Sequence, residues 1–324
     1  MAPRRSVDDR LAEVEAAIAD ADDDALEGVV VGALGDNYFR IVALAARCAG
    51  ERLIYASMPA LIAAYPRFLE KPVKRDPNCL AKQAIIRALF ELDCDDAEFY
   101  LQALRYRQME PVWGGTVDTA TDLRCSAAMG LVSCGYPRAL VEVAELLTDS
   151  EAPVRGGAAR AIACGNPREA ELLLRAKVFA GDEDALVLAD CFAGLLTVEP
   201  DDSPAFVARW LAAKDPAVAE AAALALGESR LPQAFVHLAE AWNEVVVDAG
   251  FRRVLIRAAA LHRSDESYQW LLDLAAERSL AEVTEIVDVL AIYKHNEKLA
   301  RRLRAALASR SDSDSLSYYE KVWI

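Results

Sequence analysis

Two stretches with the same pattern decide the fold of this chain. They read Asp149-Ser150-Glu151-Ala152-Pro153-Val154-Arg155-Gly156-Gly157-Ala158-Ala159-Arg160-Ala161-Ile162 and Asp215-Pro216-Ala217-Val218-Ala219-Glu220-Ala221-Ala222-Ala223-Leu224-Ala225-Leu226-Gly227. In each, a turn with Asp and Pro leads to a Val, and apolar residues follow four, seven and eight positions later. This spacing places all four on one face of an amphipathic helix. The two Val residues are 64 positions apart, which leaves room for one more copy between them.

The same four positions recur in six copies. Their first positions are spaced by 31, 33, 31, 33 and 32 residues: Leu123, Val154, Val187, Val218, Phe251 and Val283. The third position is small in every copy but the last, where it is Leu290: Gly130, Ala161, Gly194, Ala225 and Ala258. A small residue there lets a neighbouring helix approach closely. Each copy is separated from the next by a second apolar-periodic stretch, as in residues 139–147, so the pattern predicts stacked α-hairpins.

The turn Asp, the Pro-Val-Arg of residues 153–155 and the Ala-x-x-Ala-Leu-Gly of residues 222–227 resemble HEAT-like repeats, particularly the short repeats of phycobilin lyases. The resemblance covers roughly residues 76–305. It implies an all-α fold, a right-handed α-α superhelix (solenoid) of about eight or nine HEAT-like helix pairs. It also implies a bond between turn Asp and helix Arg, as from Asp149 to Arg155. The equivalent of Arg155 in the second stretch is Ala219, so a ladder of such bonds is incomplete.

The composition agrees with helices. Hydrophobic residues make up 54% of the chain but aromatic residues only 7%, and 15 Gly and 13 Pro are few for a turn-rich β fold. The predicted organisation has three parts. Residues 1–36 form an N-terminal cap or partly frayed helices, residues 37–308 form the HEAT-like solenoid with insertions near 50–76 and 105–118, and residues 309–324 form a flexible Ser/Asp linker with an apolar C-terminal tail. That tail is expected to fold back onto the last helices or to dock into a partner.

Insertions in helical arrays map to loops, often near the binding surface. Pro111 and the glycine pair after Trp113 predict a loop over residues 105–117. Aromatic residues beside arginines are typical anchors of binding surfaces. The candidate partner- or ligand-binding residues are Arg105, Tyr106, Arg107, Trp113, Gly114 and Gly115, with Lys74 and Arg75 of the first, locally basic insertion. Two alternatives stay open: Trp113 covers a gap between helices, and the basic segment is a solvated linker.

The charge bears on the class of partner. The chain carries 51 acidic against 36 basic residues, a net charge of −15, which repels a nucleic-acid backbone and favours a protein partner or a small ligand. Seven Cys with no C-x-x-C motif indicate free thiols in a reducing compartment. No segment has the pattern of a signal peptide or a membrane span, so we expect a cytoplasmic protein that is not in a membrane. The oligomeric state is left open.

No catalytic residue, metal site or cofactor is predicted. The three His residues lie in different repeats, without a second ligand at metal spacing, and no nucleotide or hydrolase motif is present. The preferred function is a non-enzymatic protein-binding scaffold that uses its concave face and the 105–117 loop. One alternative is a phycobilin-lyase-like or other small-ligand-handling enzyme. The other is a HEAT-like nucleic-acid-binding protein, for which Trp210, Trp242 and Trp270 would form a row, although each is expected to pack in the core.

Overall fold

The computed structural model describes residues 6–244 and 248–323. Over these residues the fold is mostly helical, as predicted, with twenty α-helices and one two-stranded antiparallel sheet. The helices are α1 (Val7–Asp20), α2 (Asp23–Leu34), α3 (Phe39–Glu51), α4 (Met58–Ala64), α5 (Pro72–Arg75), α6 (Leu80–Glu91), α7 (Ala97–Leu104), α8 (Thr121–Ser133), α9 (Ala139–Glu145), α10 (Ala152–Ala163), α11 (Pro167–Ala180), α12 (Ala185–Val198), α13 (Ser203–Ala208), α14 (Pro216–Ser229), α15 (Pro232–Glu244), α16 (Ala249–His262), α17 (Asp265–Glu277), α18 (Leu280–Ala291), α19 (Glu297–Ala308) and α20 (Asp314–Trp323). The strands are β1 (Met109–Val112) and β2 (Gly115–Asp118).

The chain divides into two compact units, Met1–Leu173 and Leu174–Ile324, and the boundary falls within α11. Within residues 6–244 and 248–323, five short 3₁₀ turns connect the helices: Tyr55–Ser57, Tyr65–Phe68, Pro77–Cys79, Leu146–Thr148 and Arg209–Ala212. None of the helices over the described residues combines the length and apolarity needed to cross a bilayer.

In the first unit, helices α3, α6, α8 and α10 pack side by side in chain order. Helix α7 packs on α8, and α9 packs on α10, so a second set of helices covers the first. The predicted register is buried in both repeat helices of this unit, from Leu123 to Leu131 and from Val154 to Ile162. The small third position has the expected effect, because a Cβ on Gly130 would lie 2.2 Å from the Tyr100 ring. Close helix approach therefore depends on a missing side chain there.

In the second unit, helices α12, α14, α16 and α18 pack in the same manner, with α13 on α15 and α17 on α19. The predicted register is again buried, and the exceptions are Phe251 and Ala291, which are half-buried. Trp242 is buried and its ring meets the Trp270 ring edge-on at 5.3 Å. The Trp210 ring lies 6.1 Å from that of Phe192. Trp242 therefore packs in the core as expected, whereas Trp210 and Trp270 are half-buried and contact other aromatic rings from its edge.

The N-terminal part and the first insertion are helical. Residues 1–5 lie outside the described residues, and Ser6 begins α1 with a capping box completed by Asp9. The segment near 50–76 contains α4, α5 and two 3₁₀ turns rather than an extended linker. Arg67 in this segment donates to the carbonyls of Leu34 and Gly35. These two hydrogen bonds satisfy carbonyl groups at the end of α2 and hold the segment against the first helices.

The C-terminal part differs from the predicted flexible linker. Helix α20 begins at Asp314, inside the Ser/Asp run, and packs on α18 and α19. Arg310 donates to the carbonyls of Ala275 and Arg278 at 2.9 Å each, and Asp312 accepts from the Ser315 amide at 3.0 Å. The run thus works as a helix cap, which the polar composition alone did not reveal.

The apolar tail folds back in cis over the described residues. Tyr319 is buried, and the Trp323 indole donates to the Val287 carbonyl at 3.1 Å. Tyr318 donates to the Asp288 carboxylate at 2.9 Å. Ile324 lies outside the described residues. The first of the two predicted fates of the tail, packing on the last helices, is the one that residues 318–323 adopt.

Candidate functional site

The predicted loop over residues 105–117 is a β-hairpin. Strand β1 pairs with β2 from Met109 opposite Asp118 to Val112 opposite Gly115. Gly114 has a φ of 89°, a conformation that side chains disfavour, so it completes the two-residue connection between the strands. The loop prediction is wrong because Pro111 and the glycine pair interrupt a helix but also permit a strand, a turn and a second strand. The fold is therefore not purely helical.

Trp113 lies at the tip of the hairpin and its side chain is fully exposed, at 102% of its reference area. Met109, Val112 and Val117 on the two strands are also exposed, at 52%, 50% and 43%. An indole in contact with water loses the roughly 2–3 kcal/mol that burial of a large apolar side chain supplies. The alternative in which Trp113 covers a gap between helices does not fit this exposure.

The base of the hairpin, by contrast, is buried and polar. Glu110 is 8% exposed, and its Oε1 accepts from the Asn78 amide at 2.7 Å, from Gln108 Nε2 at 2.7 Å and from the Thr119 hydroxyl at 2.9 Å. Gln108 Nε2 also donates to the Asp76 carbonyl at 2.8 Å. A buried carboxylate needs such donors to offset its lost hydration. These bonds tie β1 to the segment just before α6.

A second buried cluster anchors β2. The Arg124 side chain is 1% exposed, and its Nη1 donates to Asp118 Oδ2 at 2.7 Å and to the Tyr106 carbonyl at 3.0 Å. Its Nη2 donates to Asp149 Oδ1 at 3.3 Å. Arg107 Nη2 binds the other Asp149 oxygen at 2.7 Å and Arg107 Nη1 lies 3.5 Å from Asp118 Oδ2. Two buried carboxylates thus alternate with the buried guanidinium of Arg124 and the half-exposed guanidinium of Arg107, which balances the buried charge.

Asp149 is the turn residue of the stretch that decides the fold. The expected partner Arg155 does contact it, but Nη1 of Arg155 donates to the Asp149 carbonyl at 2.8 Å rather than to the carboxylate. The carboxylate instead accepts from the Glu151 amide at 2.9 Å and from the two arginines of the hairpin cluster. The Asp149 carboxylate therefore binds Arg107 and Arg124. Arg155, the helix Arg that the resemblance implies as its partner, binds the Asp149 main chain instead.

A third contact links the first insertion to the same region. Asp76 and Lys82 are completely buried, with 2.7 Å between Oδ2 and Nζ. Asp76 also accepts from the amides of Ala81 at 2.8 Å and Lys82 at 3.1 Å, and the ammonium lies 5.4 Å from the centre of the Tyr106 ring. Burial raises the pKa of the Tyr106 hydroxyl, which donates to Gln108 Oε1 at 2.9 Å. Tyr106 is thereby a support of the hairpin and not an exposed contact.

The predicted site residues fall into four places. Trp113, Gly114 and Gly115 form the exposed tip, whereas the half-buried Tyr106 and the exposed Arg107 bind the buried polar groups at the base. Arg105 lies beside the hairpin and pairs with Glu142 at 2.5 Å. Lys74 and Arg75 are exposed on α5, and no hydrogen bond or ion pair of the described residues joins them to the hairpin; Arg75 binds Glu70 at 2.9 Å.

Sequence reasoning missed most of the buried members: Asp76, Lys82, Glu110, Asp118 and Arg124. For two of these residues, the sequence contains a local signal. Lys82 and Arg124 each sit within a run of apolar helix positions, where a charge at that register needs a buried partner. The carboxylate partners are Asp76 for Lys82, six residues earlier, and Asp118 and Asp149 for Arg124, six residues earlier and 25 residues later.

The Asp118 cluster makes stability sensitive to acid. Burial raises the pKa of the Asp118 carboxyl, but hydrogen bonds from the amides of Ala120 and Gln108 and from Arg124 outweigh burial and hold it below its ordinary value of 3.8. The stabilisation is therefore complete above that ordinary value and is lost as the pH falls below it. We expect Asp118→Asn to lower the free energy of unfolding at about pH 6, with the difference from wild type shrinking toward about pH 3. Urea unfolding across this range checks it; a constant difference would contradict it.

Over the described residues, no group of three or more His, Cys, Asp or Glu side chains is placed to hold a metal ion. The sequence matches no family model and no curated protein. Among solved structures, the chain is similar to a crystal structure of an engineered protein from a structural genomics consortium, with 16% identity over 96% of this chain and 90% of that one and a TM-score of 0.37. A second engineered protein from the same source shares 16% identity over 93% of this chain and 96% of that one, with a TM-score of 0.17. At these TM-scores neither similarity supports a conclusion about fold or function.

Proposed function

We propose that this protein is a non-enzymatic scaffold of HEAT-like helix pairs that binds another protein by inserting Trp113 into an apolar pocket of that partner. One observation carries the proposal: a fully exposed tryptophan at the tip of a hairpin whose base is fixed by the buried ion pairs of Arg124 with Asp118 and Asp149. Tryptophan is enriched among the residues that dominate binding energy. Stacking of the helix pairs within each unit as in HEAT-like repeats is part of this proposal.

The exposed neighbours of Trp113 support a protein partner. Met109, Val112 and Val117 extend the apolar surface from the tip along both strands. Exposed apolar residues that form a continuous patch mark interaction sites, whereas single exposed apolar residues are common on protein surfaces. Beside the hairpin, the Thr119 hydroxyl donates to Glu110 Oε1 at 2.9 Å, but the same buried oxygen also accepts from Asn78 and Gln108. We therefore take this contact as a support of the hairpin, and the exposed apolar tip favours binding over catalysis.

The experiment places a photoreactive benzoylphenylalanine at position 113 and, as a matched control, at Leu186, an exposed apolar residue of α12. After irradiation in the cells of origin, we expect one protein to be crosslinked from position 113 and not from position 186. The identified partner is then titrated against Trp113→Ala, whose affinity should fall by roughly 30-fold, as expected for a central anchor.

Three results would contradict the proposal. They are no crosslink specific to position 113, an unchanged affinity of Trp113→Ala for the crosslinked protein, and loss of the folded state in that variant by circular dichroism. A small molecule that co-purifies with the chain would favour the ligand-handling alternative. Salt-sensitive DNA binding at physiological ionic strength would favour the nucleic-acid alternative.

A further inference from the structure

A groove of about 310 Å³ lies on the first unit between α1, α3 and α6, and no residue of the hairpin strands is among the described residues that line it. Its floor is aliphatic: Leu11 of α1, Leu44 of α3 and Leu80 of α6 line it. Leu80 is 41% exposed, so part of this floor is in contact with water. A concave apolar surface of this size accepts a few side chains of a ligand.

Three arginines line the same groove, Arg40 and Arg47 from α3 and Arg87 from α6. Arg40 and Arg47 are exposed and, over the described residues, neither forms an ion pair. They are seven positions apart, which puts them on one face of α3 about 10 Å apart along its axis. Arg87 is 67% exposed and pairs with Glu91 at 2.9 Å, an exposed bond that a ligand can compete with. We call this surface the arginine groove.

The local charge contrasts with that of the whole chain. Residues 37–92 contain nine Lys and Arg against four Asp and Glu, whereas the chain has a net charge of −15. Glu15 is the only acidic residue that lines the arginine groove in the described structure. A cationic rim in an otherwise acidic protein attracts anionic ligands to one place and repels them elsewhere.

The residue types that line the arginine groove favour one kind of anionic ligand over another. Single-stranded nucleic acids bind through bases stacked on aromatic rings, and none of the described residues that line this groove is aromatic. The negative charge of the chain also opposes a polyanion that extends beyond the groove. Carboxylates, in contrast, match the two-pronged geometry of arginine, and leucines match the aliphatic floor.

We infer that the arginine groove binds a short acidic amphipathic helix of a partner protein, with leucines on the floor and carboxylates on Arg40, Arg47 and Arg87. This deepens the proposed scaffold function, on which it rests, because it names the chemistry of a partner segment at a second surface. It follows the helix-in-groove mode, in which an apolar face fills the groove and charges flank it.

The test uses a fluorescein-labelled helical peptide with leucines on one face and glutamates beside them, and a matched peptide with glutamine at every glutamate. Anisotropy titration of the full chain should show binding of the glutamate peptide and at least tenfold weaker binding of the glutamine peptide. R40E/R47E should weaken the glutamate peptide at least tenfold. The control K294E/K298E makes the same charge change on the second unit and should leave the affinity unchanged.

A third peptide shows whether the weaker binding of R40E/R47E comes from the reversed charge or from a wider change in the structure of that variant. Lysines replace its glutamates, and it should bind R40E/R47E more tightly than it binds the wild type. Trp113→Ala should keep wild-type affinity for the glutamate peptide, so failure of the hairpin proposal and failure of this one are distinguishable. Absence of binding up to about 1 mM, equal binding of the first two peptides, or tighter binding of a single-stranded oligonucleotide of the same charge would overturn the inference.

Discussion

Replacing Arg124 by alanine is expected to lower the free energy of unfolding by about 3–5 kcal/mol, the range for breaking a buried ion pair from one side. Arg124 is 1% exposed and donates to both Asp118 and Asp149, which are themselves 1% exposed. Without the guanidinium, two carboxylates remain in a buried site and only Arg107, which is 47% exposed, can still pair with them. The buried charge that is left behind, and not the lost bond alone, makes the effect large.

Urea unfolding followed by circular dichroism measures this effect. The matched control is Arg105→Ala, which removes an arginine from the same region but breaks only an exposed pair with Glu142. Its expected cost is below about 1 kcal/mol. Equal costs for the two variants would show that the Asp118–Arg124–Asp149 cluster is not a buried network in solution.

Gly227→Ala is expected to destabilise the second unit by about 2–3 kcal/mol, as overpacking does in close-packed cores. A Cβ at this position would lie 2.2 Å from the Ala258 carbonyl oxygen and 2.8 Å from its carbonyl carbon. These are backbone atoms of α16, so the clash cannot be relieved by a side-chain rotation. Helices α14 and α16, which pack against each other, would have to move apart.

The control is the same substitution where space is open. Gly32 in α2 has no atom within 4 Å of its would-be Cβ, so Gly32→Ala should stabilise the chain by about 0.5–1 kcal/mol through helix propensity. Thermal or urea unfolding of both variants checks the opposite signs. A stabilised Gly227→Ala variant would mean that α14 and α16 do not approach this closely.

Local sequence patterns predicted the helices and the buried register well. Val218, Ala222, Ala225 and Leu226 are buried as predicted, because the 3.6-residue period of a helix determines which of its faces is apolar. The close approach of a neighbouring helix at Gly130 was predicted for the same reason, since the place of the small residue follows from the spacing within one helix.

The candidate site could be predicted only in part. Trp113 was found because a loop tryptophan beside arginines is a local signal. The hairpin base was not, since Glu110 reaches Asn78 and Arg124 reaches Asp149 across 32 and 25 residues. Pairings at such distances depend on how helices stack, which no periodicity within one segment specifies. Helix α20 was missed for a similar reason, because Arg310 finds its carbonyl partners 32 and 35 residues earlier.

The buried base of the hairpin also affects the thermodynamics of the recognition that we propose for Trp113. A flexible loop that carries a tryptophan loses backbone entropy when it is ordered on binding, at about 1–2 kcal/mol for each residue fixed. In this protein the strands are paired and their ends are tied to Asn78, Arg124 and Asp149 before any partner arrives. Most of that entropy is therefore lost during folding, and a partner of Trp113 meets a preorganised surface whose affinity is not reduced by ordering. Substitutions in the buried base would accordingly weaken binding without touching the partner.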